Sequence, residues 1–476
     1  MFEPVIAPSG TLLGLLQRGR GDGTLHALAA PRAEAVEALR QCVLHDPRSD
    51  WQVENRSLYY ARLWRDLDAD LDAVAEHLFD ADDTASDEAD EQRTGLALSV
   101  LGHLAGYGRT DALLLLRRYA ARGAAWQWAL DELAVRDDDE GLRSLGPAVL
   151  ARFAATPEGD GALAAAVAEA FEPRPWNLWA DDPVLGERVR GAQERRSFAL
   201  WQRQLRPGGP RPDWSVTAVL GWAQQGYEDN PDWPRHSAAA RCLAAVGTAT
   251  DYPELLSAAA GGPDGARGAA LAHLAATADP QALNLIELAT ATGSAYVAAT
   301  ALSAYGRMSS PAAVARARRW VGRSDALGTA AGVMLARRGG AGDAEAVRAA
   351  LLRTVRLEGP DTTALWALTE GAGRLGIRDA APVLRHIYRE TASSQLRGLA
   401  AAALAATDPA FGRGFAVECL WDCEETTREL AARTAETADS RVVDQLRRLA
   451  TDPAEEAGVQ TAVRTRITPE GPSRHA

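Results

Sequence analysis

Twelve carboxylates and no lysine or arginine fall between residues 66 and 91. The run Asp66-x-Asp68-x-Asp70-x-Asp72 has the alternation of an oxygen-ligand site for a hard cation. Asp80, Asp82, Thr84, Ser86, Glu88 and Glu91 stand at the offsets of a calcium loop. Ala85, however, occupies the place where the sharp turn needs glycine, and Asp87 the place where an apolar residue packs. On a helix, carboxylates two apart spread around the axis instead of converging. The stretch therefore reads as a solvated acidic loop.

The other chemistry-bearing patterns are equally short of a full constellation. Cys419 and Cys423 lie four apart, with no second cysteine pair or histidine beside them in sequence, so a zinc site lacks ligands. They read as small buried residues near a helix end, and Asp422 to Glu425 reads as a capping box opening the next helix. Gly371-Ala-Gly373-Arg-Leu-Gly376 spells a dinucleotide fingerprint but follows a helix, not a strand, and reads as a helix-end turn. The eight histidines form no metal-binding pair on one helix face, and His103, His273 and His386 read as structural or surface residues. All 51 basic residues are arginine. The chain thus lacks a Schiff-base lysine and a phosphate-loop lysine. No catalytic residue, cofactor or metal is expected.

One segment has the composition of a contact surface. Residues 173–234 hold eight of the 24 prolines and six of the 13 tryptophans. Arginines are interleaved with those indoles, and Trp and Arg dominate interface hot spots. The expected partner-binding set is Trp176, Trp179, Arg188, Arg195, Arg196, Trp201, Arg203 and Trp214. The competing reading is that the indoles pack a junction between two helical regions, since tryptophan is highly buried on average. The pieces EPRPWNLWADDP and RPGGPRPDW read as non-helical, because proline disrupts a helix interior.

These residues must be positioned by helices. The apolar share, 47% of the chain, is mostly alanine and leucine, the strongest apolar helix formers. From about residue 235 one unit recurs: an Ala/Leu helix, a small-residue turn, an Asp or a Ser-Pro opening a second helix, then a polar gap. Anchored on Asp251, Asp279, Ser310, Asp343, Asp379, Asp408 and Asp439, the spacing is about thirty residues. Asp or Ser there suits an N-cap, and Pro280, Pro311 and Pro409 suit the first helical position. Leu396, Leu399, Ala400, Ala403 and Leu404 follow the helical apolar spacing. Upstream, helices are expected over 33–45, 51–67, 71–79, 94–107, 111–122, 125–135 and 140–153, with further ones over 185–205 and 216–227.

The turns LAATADPQALNLI, YGRMSSPAAVARA and LAATDPAFGRGFAV resemble the short HEAT-like repeats of bacterial proteins and phycobilisome lyases. That resemblance covers about half the chain and implies an all-α superhelix, in which stacked hairpins share a core that none could bury alone. The expected organisation is an N-terminal helical region over 1–172, the Trp/Pro/Arg-rich junction over 173–234, repeats over 235–466 and a disordered tail over 467–476. The function it implies is a non-enzymatic cytoplasmic scaffold or adaptor for an unidentified protein partner. The alternative is a DNA-binding enzyme resembling the HEAT-like alkylpurine glycosylases. The net charge of −13, nearly all of it in the acidic stretch, gives nucleic acid no attractive field. No apolar run reaches the ~18 residues of a membrane span, and the start Met1-Phe-Glu-Pro lacks a signal-peptide pattern.

Overall fold

The computed structural model describes residues 6–48, 54–80, 91–194 and 214–467, with backbone only at 91–93. Its regular structure is helical, and no strand occurs among the described residues. No helix there is long and apolar enough to cross a membrane. The fold class is all-α, as the Ala/Leu composition requires. The chain forms two compact units: residues 1–206, 389–401 and 410–476 make unit 1, and residues 207–388 and 402–409 make unit 2. This division corrects the expected linear order. The 173–234 junction is split near residue 206, and the last third of the chain does not stay together.

Unit 2 carries the regular part. Its Ala/Leu helices pack one on the next: Asp264–Ala276 on Ala295–Arg307, then Ala326–Arg338, then Ala364–Arg374, each also contacting the helix that precedes it. Close stacking depends on small side chains. Every residue from Gly265 to Ala275 is buried, and a Cβ on Gly265 would lie 2.7 Å from the Ala223 carbonyl oxygen. The repeat turns follow two mechanisms, not one. Ser310 caps its helix directly, its hydroxyl accepting the Ala313 N–H with Pro311 in the first turn. Asp251 and Asp343 instead end a short 3-10 turn and reach back to the N–H groups of Thr248 and Gly340. Asp408 turns away to pair with Arg385 at 2.5 Å. Gly376 has φ +61°, the left-handed value that ends the helix Ala364–Arg374.

Unit 1 joins the two ends of the described chain. The loop at Gly19 accepts the Cys423 N–H at 2.9 Å, and the buried Arg397 holds Asp422 through two hydrogen bonds of 2.8 and 3.0 Å. Arg428 grips Glu455 in the same bidentate manner, and Arg62 reaches both Asp452 and Glu455 from the helix Arg56–Asp66. The side chains of Arg397, Asp422, Arg428 and Glu455 are at most 1% exposed. Buried charges persist only when paired and hydrogen-bonded, so these contacts dictate how the segments meet. This is why residues 389–401 and 410–467 belong with the N-terminal helices. Asp422 therefore makes no capping box. Its carboxylate serves Arg397, and the following helix, Glu425–Thr434, begins without a side-chain cap.

Two N-terminal helices, Leu12–Gln17 and Gly21–Ala29, were not evident from periodicity. The piece EPRPWNLWADDP also contains a helix, Arg174–Ala180. Pro175 lies in its first turn, where a missing N–H removes no intrahelical bond.

Candidate functional site

The expected contact residues do not form one surface. Trp176 and Trp179 are 2% and 0% exposed. They meet edge to face at 5.1 Å, Trp176 also abuts Trp126, and the Trp179 indole N–H donates to the Leu142 carbonyl at 2.8 Å. Both are core residues of unit 1 and offer a partner no face, so the partner-binding expectation is corrected there. Arg188 is spent on structure, donating to Asp160 and to the carbonyls of Phe153 and Ala154. Trp214 is half-buried in unit 2 against Trp222. Arg195, Arg196, Trp201 and Arg203 lie outside the described residues.

The acidic stretch is likewise dispersed where it is described. Asp66 pairs with Arg448 and Asp70 with Arg40. Of the calcium-loop positions, residues 82–88 are outside the described residues, as is the side chain of Glu91. Cys419 and Cys423 are buried thiols, and burial pushes the Cys423 thiol up to about 12. Among the described residues no group of histidine, cysteine and carboxylate side chains converges to hold a metal ion.

A different place in unit 1 brings polar and apolar groups together. The helix Trp126–Arg136 presents Trp128, Asp131, Glu132 and Val135 at offsets of 3, 4 and 7, and therefore on one face. They line a cleft of about 640 Å³ with Glu54, Ser99, Arg136, Phe171 and Glu172. A second hollow of about 320 Å³ continues it and shares Trp128, Asp131 and Phe171. Phe171 is 84% exposed and Val135 is 62% exposed. Exposed apolar groups of this size beside an open hollow mark interaction surfaces more often than isolated ones do.

The floor of the cleft is tightly organised. The Trp128 indole N–H donates to Ser99 Oγ at 3.1 Å, and the Ser99 hydroxyl donates to Glu132 Oε1 at 2.9 Å. Arg136 Nη1 stands 2.6 Å from Glu132 Oε2. Gly102 leaves the notch into which Glu132 fits, since a Cβ there would collide with Oε2. Burial raises the Glu132 carboxyl above its ordinary value, opposed by the Arg136 charge. Burial raises Asp131 as well, opposed by the backbone N–H of Glu172, which donates to Oδ1 at 3.3 Å. That bond also holds the Phe171–Glu172 segment at the rim.

Chemically the cleft offers apolar surface, carboxylates and a hydrogen-bonded serine. The Ser99 oxygen accepts a hydrogen bond from the indole N–H while its own hydroxyl is given to Glu132, whose carboxylate is in turn held by Arg136, and among the described residues no histidine lines the cleft. Sequence reading anticipated a helix over 125–135 but not this face, because its partners Ser99, Gly102 and Phe171 come from other elements. The available signal was the Trp-x-x-Asp-Glu-x-x-Val spacing itself. Comparison with family models, with curated proteins and with solved structures found no match to this chain, so the cleft's own chemistry must carry the functional reading.

Proposed function

We propose that the chain is a non-enzymatic scaffold of HEAT-like helical hairpins in the cytoplasm, and that it engages a protein partner through the cleft along Trp126–Arg136. The observation that carries the reading is the exposed pair Phe171 and Val135 at the rim of an open hollow floored by Trp128. Aromatic anchors beside a preformed hollow, ringed by polar groups, are the anatomy of a hot spot. The stacked hairpins of unit 2 support the repeat assignment, since each buries an alanine-rich face against its neighbour. The enzyme alternative, a DNA glycosylase, draws no support from this cleft. Among the described residues its lining sets four carboxylates against one arginine, and phosphates need the opposite field.

The test is site-directed photo-crosslinking in native cytoplasm, with benzoylphenylalanine replacing Phe171 or, as control, the also exposed Leu357 of unit 2. A discrete crosslinked protein at position 171 and none at 357 is expected. Equal, diffuse labelling at both positions refutes the cleft as a partner site.

A further inference from the structure

The cleft also specifies what kind of partner it takes. Its two hollows are lined by Glu54, Asp131, Glu132, Glu169 and Glu172, whereas among the described residues Arg136 is the one basic residue lining them, already committed to Glu132. The rim is apolar and the walls are acidic. We propose that it binds a basic protein segment, with arginine or lysine stems lying on Phe171 and Trp128 and their heads reaching Asp131, Glu132 and Glu172. This rests on the reading of the cleft as a partner site.

Three physical points favour that occupant. Long basic side chains are amphipathic, so their methylene stems cover apolar surface while the charged head finds carboxylates. The guanidinium or ammonium would also offset the cost that burial places on the ionised forms of Asp131 and Glu132. The indole face of Trp128 and the ring of Phe171 add cation–π attraction. The length is limited too. Eleven residues of helix, Trp126–Arg136, extend roughly 16 Å. An extended strand rising about 3.3 Å per residue fills that track with about five residues. A short linear stretch with basic and apolar residues in alternation fits, whereas a folded basic domain needs a wider surface.

The test uses fluorescence anisotropy with the full chain and three labelled heptapeptides: alternating Arg and Leu, alternating Glu and Leu, and alternating Gln and Leu. The basic peptide should bind, weaken at least tenfold between 50 and 500 mM salt, and outcompete the other two. Asp131→Asn combined with Glu172→Gln should reduce its affinity about tenfold. Glu172→Arg, a surface change that leaves the Ser99–Glu132–Arg136 network untouched, should do at least as much. Phe171→Ala should weaken binding while the thermal transition is kept. If Phe171→Ala weakens binding but the charge variants do not, or the Gln peptide binds equally well, the basic-segment inference fails while the partner site stands. If no peptide binds, or Phe171→Ala changes nothing, the cleft itself is refuted as a peptide site. Tighter binding of a duplex oligonucleotide than of the basic peptide also overturns the proposal.

Discussion

Replacing Arg397 by methionine tests the buried joint of unit 1 most directly. The guanidinium donates to both oxygens of Asp422, at 2.8 and 3.0 Å, and neither side chain is exposed at all. In Arg397→Met the Asp422 carboxylate keeps only the Glu424 N–H, 3.0 Å away, and no counter-charge in contact. Breaking a buried pair from one side costs about 3–5 kcal/mol, because the surviving charge stays out of water uncompensated. For a unit of this size that lowers the melting temperature by roughly 10 °C. Arg397→Met together with Asp422→Leu removes both charges and should return to within about 1 kcal/mol of the parent. Because Asp422→Leu alone strands the Arg397 charge at a similar cost, the double-mutant cycle then shows a coupling of about 5 kcal/mol or more. Differential scanning calorimetry at pH 7 measures all four proteins. Additive losses, or a single variant that loses less than about 1 kcal/mol, would show that the pair is hydrated and does not hold the segments together.

Other perturbations follow from the same coordinates. Trp179→Ala removes an unexposed indole and its bond to the Leu142 carbonyl and should cost about 3–5 kcal/mol in urea unfolding; an unchanged midpoint would restore the indole to the surface. Gly21→Ala places a methyl against the Glu418 carbonyl oxygen, so it should destabilise unit 1 by about 1–3 kcal/mol, whereas Gly10→Ala, with open space around it, should be neutral. Burial, with Arg136 and Arg62 nearby and Asp452 opposing, depresses the His103 ring to about 4. Between there and pH 6.5 the unfolded ring holds a proton that the folded one does not. Stability from this site is therefore whole above pH 6.5 and falls as pH drops toward 4. Urea midpoints at pH 7.5 and 5 should diverge more in the parent than in His103→Gln.

How much of this was readable before folding depends on the range of the interaction. Ser310-Pro311 declares its helix start, and Gly371 to Gly376 its helix end, because both effects act within one turn. The all-helical class came from composition for the same reason. Trp176 and Trp179 could be read two ways, since the hot-spot composition of an interface is also that of an aromatic core. Pro175 misled because its position relative to the helix start, and not its presence, decides its effect. Asp422 fits a local capping rule on paper, yet its carboxylate is shared between the Glu424 N–H and an arginine 25 residues upstream, and the helix that follows starts without a side-chain cap. The meeting of Arg62 with Asp452 and Glu455 leaves no trace in local periodicity. The groove was half visible, as one face of a helix whose opposing wall comes from Ser99 and Phe171.

The joining of early and late chain in unit 1 has a consequence for synthesis. When residue 206 emerges from the ribosome, Arg62, Tyr107 and the Gly19 loop still lack Asp452 and Cys423, the former made some 240 residues later. At translation rates of about 5–20 residues per second, that delay lasts roughly 12–50 s. The nascent N-terminal helices must wait with an unfinished seam, while unit 2, almost wholly contiguous in sequence, can consolidate first. Contacts of such long sequence separation slow folding. Chaperone dependence should therefore track the first two hundred residues, the part of the protein that is translated earliest and finished last.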